Sequence, residues 1–81
     1  MRLTRPVEGA WLRELREAAG LSQTAVAAQA GLSKATLCEH EQKAQVAPER
    51  AGRIVTAIIA LRVRDKDFDA KRKAPRYADA A

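Results

Sequence analysis

Ala30-Gly31-Leu32-Ser33 is the stretch that most limits what this chain can become. Gly31 tolerates the left-handed conformation in which helices end, and Ser33 carries the side-chain oxygen with which they begin. Upstream, Ser22 is a second N-cap, and Ala25, Val26, Ala27, Ala28 and Ala30 follow it with high helix propensity. Downstream, the chain reads helical from Lys34 through Glu41 or Gln42, with Leu37 as its main apolar anchor. Two helices separated by about three residues, with glycine among them, have to cross steeply.

The flanks extend the helical pattern. Trp11, Leu12, Leu15, Ala18 and Ala19 keep helical spacing between Glu8 and Ala19, with Arg13, Glu14, Arg16 and Glu17 around them, and Gly20 stops that helix. Residues 43–47 read as a loop. Pro48 suits the first position of a new helix, where its missing N–H costs nothing. Ala51, Ile54, Val55, Ile58 and Leu61 then repeat at three and four over roughly 48–61. Two continuations stand beyond that point. No Gly or Pro separates Arg53 from Ala74, so the helix can run on to about Lys66 or Ala70, whereas the alternation Leu61-Arg62-Val63-Arg64 also suits a short strand.

Composition points the same way. Eighteen residues are alanine and only twenty are larger hydrophobics, a thin core that suits helices packed on Ala faces better than a sheet. The expected fold is all-α, a compact four- to five-helix bundle in one domain over residues 8–70. Residues 1–7 are expected to form a flexible arm carrying Arg2 and Arg5. Residues 71–81, with Pro75 and a closing Ala-Asp-Ala-Ala, are expected to be a basic disordered tail. One cysteine excludes an internal disulfide and a Cys-based zinc cage, and a single histidine leaves catalysis and metal binding little to work with, so no cofactor, no metal site and no enzyme is expected. Neither a membrane span nor a signal peptide is visible, and the expected compartment is the cytoplasm.

The net charge is +5, which favours a polyanionic partner. Its distribution is uneven: +1 over residues 1–20, zero over 21–47, +1 over 48–70, and +3 over the last eleven residues. The tail is therefore either a solvated segment that aids solubility or an arm that touches phosphate.

Leu15-Arg16-Glu17-Ala18-Ala19-Gly20-Leu21-Ser22-Gln23, then Val26-Ala27, Ala30-Gly31-Leu32-Ser33, Leu37 and Glu41 together resemble the lambda-repressor/Cro-like helix-turn-helix family of DNA-binding regulators over about residues 8–58. The resemblance implies that the second helix of the motif enters the major groove of double-stranded DNA. It implies scaffold roles for Val26, Ala27, Gly31, Leu32 and Leu37. It implies phosphate contact for Gln23 at the start of the first motif helix, with Thr24 beside it. Ser33 caps the recognition helix, whose N-terminus can receive a phosphate. Lys34, Ala35, Thr36 and Glu39 match the positions from which the family reads bases: Lys34 can donate to guanine, Ala35 can touch a thymine methyl, and Glu39 can accept from a cytosine amino group. Against this stands an ordinary solvated helix face. Cys38, one turn on from Lys34, borders the groove or is simply a small packing residue. By the same resemblance, Arg16 and Glu41 form a partly buried ion pair.

Two positions depart from the family. His40 stands where an apolar residue is usual, which suggests a half-buried ring. Lys43 stands where Gly is common, which suggests a differently shaped loop and makes Lys43 a candidate phosphate contact. The region after residue 58 lacks the clear short fifth helix of many relatives.

The leading expectation is a sequence-specific transcriptional regulator, a Cro-like phage or bacterial repressor without a ligand-binding domain or small-molecule effector. One recognition helix covers few base pairs, so a homodimer on two half-sites about 34 Å apart is expected. Ile59, Leu61, Val63 and Phe68 are candidate dimer contacts, or else they close the monomer core. The alternative is an antitoxin-type module that binds a partner protein through residues 59–81, which would be unstructured alone. A nonspecific architectural DNA protein comes third.

Overall fold

Helix boundaries fall where the capping residues put them. In the computed structural model, which describes residues 3–61 and 66–78, the helices are α1 (Gly9–Ala18), α2 (Gln23–Ala30), α3 (Lys34–Gln42), α4 (Pro48–Leu61) and α5 (Lys66–Lys73). Ser22 Oγ accepts from the Ala25 N–H at 3.1 Å, and Ser33 Oγ accepts from the Thr36 N–H at 3.1 Å, so α2 and α3 both begin on a serine cap. Gly31 ends α2 at φ 73°, and the Leu32 N–H reaches back to the Ala27 carbonyl at 2.8 Å, the Schellman closure that only a left-handed residue allows. α1 ends the same way at Gly20.

α2 packs on α3 and α4, and α1 packs on α3, α4 and α5. Leu12, Leu15, Val26, Leu37, Ile54, Val55 and Ile58 are fully buried between them. Ala27, Ala30 and Ala51 fill the close approaches, where a larger side chain would push the helices apart. The first turn of α1 lies so near the end of α3 that a Cβ on Gly9 would overlap the carbonyl oxygens of His40 and Lys43. The Gly9 N–H donates to that Lys43 carbonyl at 3.0 Å. Among the described residues, no helix is long and apolar enough to cross a membrane.

Both ends of the chain depart from the expectation. Residues 3–7 are not a free arm: Leu3 is buried, and Val7 is fully buried. Val7 exchanges backbone hydrogen bonds with Val46 at 3.0 and 2.8 Å and also bridges Tyr77. Burial of two apolar side chains outweighs the polar character of the rest of the segment. A fifth helix is present as well, because Phe68 plugs fully into the core and holds α5 against α1. The expected disorder from residue 71 is thereby corrected as far as Ala78: α5 continues to Lys73, and residues 74–78 return to the start of α1. Residues 62–64 of the Leu61–Arg64 alternation, like residues 1–2 and 79–81, lie outside the described residues.

Candidate nucleic-acid interface

Three side chains from three helices fix α3 in place. Arg16 on α1 grips Glu41 at the end of α3 with two parallel bonds, Nε to Oε2 at 2.7 Å and Nη2 to Oε1 at 3.0 Å. Gln23, the first residue of α2, adds a third bond from Nε2 to Glu41 Oε1 at 3.0 Å. Arg16 Nη1 donates to the Leu21 carbonyl at 2.9 Å, which ties the α1–α2 turn into the same cluster. The Arg16 and Glu41 side chains are 12% and 2% exposed, so neither charge has much water to fall back on. The bond to Glu41 outweighs the burial cost and holds the guanidinium pKa above its ordinary value. A desolvated pair with bidentate geometry, and with each guanidinium nitrogen bonded to an acceptor, sets orientation more than it adds stability.

Above this bracket lies an open concavity of about 470 Å³ between the start of α2 and the length of α3. Four of the expected DNA-contacting residues line it, Gln23, Thr24, Lys34 and Cys38, together with the Arg16–Glu41 pair. Arg13 and Gln42 line it too. Ala35 and Glu39 are exposed on α3, outside this lining. Lys34, Ala35 and Glu39 thus form an outward face of α3, while Leu37 and Glu41 point inward.

Thr36 is half-buried, and its hydroxyl accepts from Ser33 Oγ at 2.8 Å, so both hydroxyls are engaged in the α3 cap. Cys38 is half-buried, with its Sγ accepting from Gln42 Nε2 at 3.3 Å. Lys43 ends α3 with extended backbone at φ −77° and ψ 145°, and no residue other than glycine has positive φ among those described. The loop after α3 thus dispenses with the left-handed turn that a glycine would serve. His40 is half-buried, its Nε2 3.3 Å from Arg50 Nη1 and its Nδ1 enclosed without a partner among the described residues. Since the guanidinium can only donate, Nε2 accepts and the proton sits on Nδ1. Burial, then Lys43 and Arg50, lower the imidazole pKa below its usual value.

The four candidate dimer contacts separate. Phe68 is fully enclosed within this chain's own core, which removes it from any surface. Ile59 and Leu61 are half-buried against the core edge, and Val63 lies outside the described residues.

Arg13 and Gln42 were not apparent from residue type, yet helical spacing reveals both. Arg13 lies three residues before Arg16 on α1, and Gln42 continues the line Lys34, Cys38 at intervals of four on α3. The cluster around Glu14 and Arg76 had no comparable signal, because its partners are sixty-two residues apart.

No curated protein and no solved structure matches the chain significantly. The family described as helix-turn-helix domain matches residues 9–65, from the first residue of α1 to beyond the end of α4. With the capped α2–turn–α3 unit at the centre of that span, the chain belongs to the helix-turn-helix family of DNA-binding domains.

Proposed function

We infer that the protein is a sequence-specific transcriptional regulator that reads operator DNA with α3 and acts as a Cro-like repressor in the form of a homodimer. The observation that carries this reading is the Arg16–Glu41–Gln23 bracket beneath an α3 whose Lys34, Ala35 and Glu39 are exposed. A helix held from behind and free in front can present base-reading groups at a fixed depth and angle. Lys34 donates to guanine, Ala35 meets a thymine methyl, and Glu39 accepts from cytosine. Gln23 and Thr24 at the start of α2, with Arg13, meet the phosphates that flank the groove. Gln23 donates one amide hydrogen to Glu41, so a phosphate contact uses its second amide hydrogen.

The neutral central segment supplies little nonspecific attraction, which favours base readout over architectural binding. Occupancy of an operator excludes polymerase, so the mechanism needs no effector. Among the apolar residues at the edge of the core, Ile59 and Leu61 on α4 are the ones that meet a second copy in this reading. The antitoxin reading loses ground, since α5 and Phe68 are already folded onto this chain. Selection of sites by the purified protein from a random duplex library tests the proposal. A two-fold symmetric motif supports it, an asymmetric motif removes the homodimer, and no enrichment removes sequence-specific reading.

A further inference from the structure

Lys71 and Arg76 are not free. Arg76 donates from Nε to Glu8 Oε1 at 2.8 Å and from Nη2 to Glu14 Oε2 at 2.6 Å, and Lys71 Nζ lies 3.6 Å from Glu14 Oε1. Three backbone or indole bonds run beside these pairs. Trp11 Nε1 donates to the Lys71 carbonyl at 3.1 Å, the Glu8 N–H to the Arg76 carbonyl at 2.9 Å, and the Ala78 N–H to the Pro6 carbonyl at 2.9 Å. Arg5 stacks on the Tyr77 ring at 4.3 Å.

The fastening is of a particular kind. Phe68 is the last fully buried side chain; from Asp69 to Ala78 every residue is half-buried or exposed. Residues 71–73 form the last turn of α5, and what fastens residues 71–78 onto α1 is ion pairs with carboxylates about 40% exposed, a few hydrogen bonds and the half-buried Pro75 and Tyr77. Exposed pairs of this sort are weak and salt-sensitive, and a segment with no buried apolar anchor opens before the core does. Glu8 stands at the N-cap of α1 without capping it, so its carboxylate is committed to the strap and not to the helix.

We propose that residues 71–78 form a charge-fastened strap, closed on Glu8 and Glu14, that a densely anionic polymer opens by competing for Lys71 and Arg76. Two carboxylates are exchanged for a row of phosphates, and the freed cations join the polymer's contacts. This rests on the duplex-binding reading for the identity of the polymer, duplex DNA. The tail is then a reserve of nonspecific affinity, stored on the α1 side of the domain and released on encounter.

The test compares the full-length protein with Glu8→Gln/Glu14→Gln and with a charge-matched control, Glu17→Gln/Glu49→Gln. The control frees Arg13 from its pair with Glu17 and so leans against the proposal. Amide exchange at Glu8 and Ala78 and indole exchange at Trp11 report the strap, while the amides of α2 and α4 report the core. The strap variant should exchange faster at those three sites with the core unchanged. It should bind a random-sequence duplex more tightly than the control, because the control's complex forms only after the ion pairs of Lys71 and Arg76 with Glu8 and Glu14 are broken. Adding duplex to the wild type should speed exchange at the same sites. Unchanged exchange in the variant overturns the fastening, and fast exchange with control-like binding overturns the competition. Heparin separates the two readings: tighter heparin retention by the strap variant, with no duplex binding by either protein, keeps the strap and removes the DNA reading.

Discussion

Glu41 gives both carboxylate oxygens to Arg16, twenty-five residues earlier in the chain, at 2.7 and 3.0 Å, and is itself only 2% exposed. The pair spans α1 and α3, so each partner is the other's replacement for water. Arg16→Ala leaves a buried carboxylate with Gln23 alone and is expected to cost about 3–5 kcal/mol in urea unfolding. Arg16→Met with Glu41→Leu should recover most of that loss, because removing both charges also removes the desolvation cost.

Gly31 at φ 73° predicts a smaller, backbone-based effect. Alanine there meets only the movable end of Arg53, at 3.3 Å, so the cost is conformational, about 1–2 kcal/mol. Thermal melting should show it as a fall of about 4–8 °C per kcal/mol. Gly9→Ala should cost more, since the obstruction is the fixed backbone of His40 and Lys43.

Phe68 distinguishes a core residue from an interface residue. Phe68→Ala is expected to destabilise by about 3–5 kcal/mol. Because the ring is buried within one chain, the loss should not change with protein concentration, whereas an interface residue would show a concentration-dependent Tm.

His40 predicts a pH dependence with a definite sign. Its folded pKa lies below the ordinary 6.5, through burial and then the positive charges of Lys43 and Arg50, with Glu39 opposing. The unfolded chain therefore takes up the proton first as pH falls. Stability is fully present above 6.5, declines below it, and levels off once pH passes the lowered folded pKa. Unfolding free energies measured from pH 7 to about 5.5, above most carboxylate titration, should show that decline in the wild type and lack it in His40→Gln.

Local chemistry explains why so much of the centre was legible. Serine caps at 22 and 33, glycines at 20 and 31 and proline at 48 act within one turn of themselves, so residue type alone locates α1 to α4. The Arg16–Glu41 contact followed from resemblance and not from pattern, as did the outward face of α3. The ends were illegible for the opposite reason. Val7 is buried only because Val46 and Tyr77 lie on either side of it, and α5 is held by Phe68 inserting among residues from distant helices. A charge run such as Lys71-Arg72-Lys73 looks like a solvated tail until Glu8 and Glu14 are brought beside it. Long-range pairing of this kind leaves no periodicity in a single sequence.

Base reading by α3 through Lys34 and Glu39 is the step on which the proposed function turns. The most direct measurement is site selection from a random duplex library with Lys34→Ala/Glu39→Ala beside the wild type, with melting temperatures recorded for both. An enriched motif is expected for the wild type and its loss in the double variant, with the melting temperature unchanged because both side chains are exposed. The same motif enriched by both proteins would contradict it and move the readout to another face.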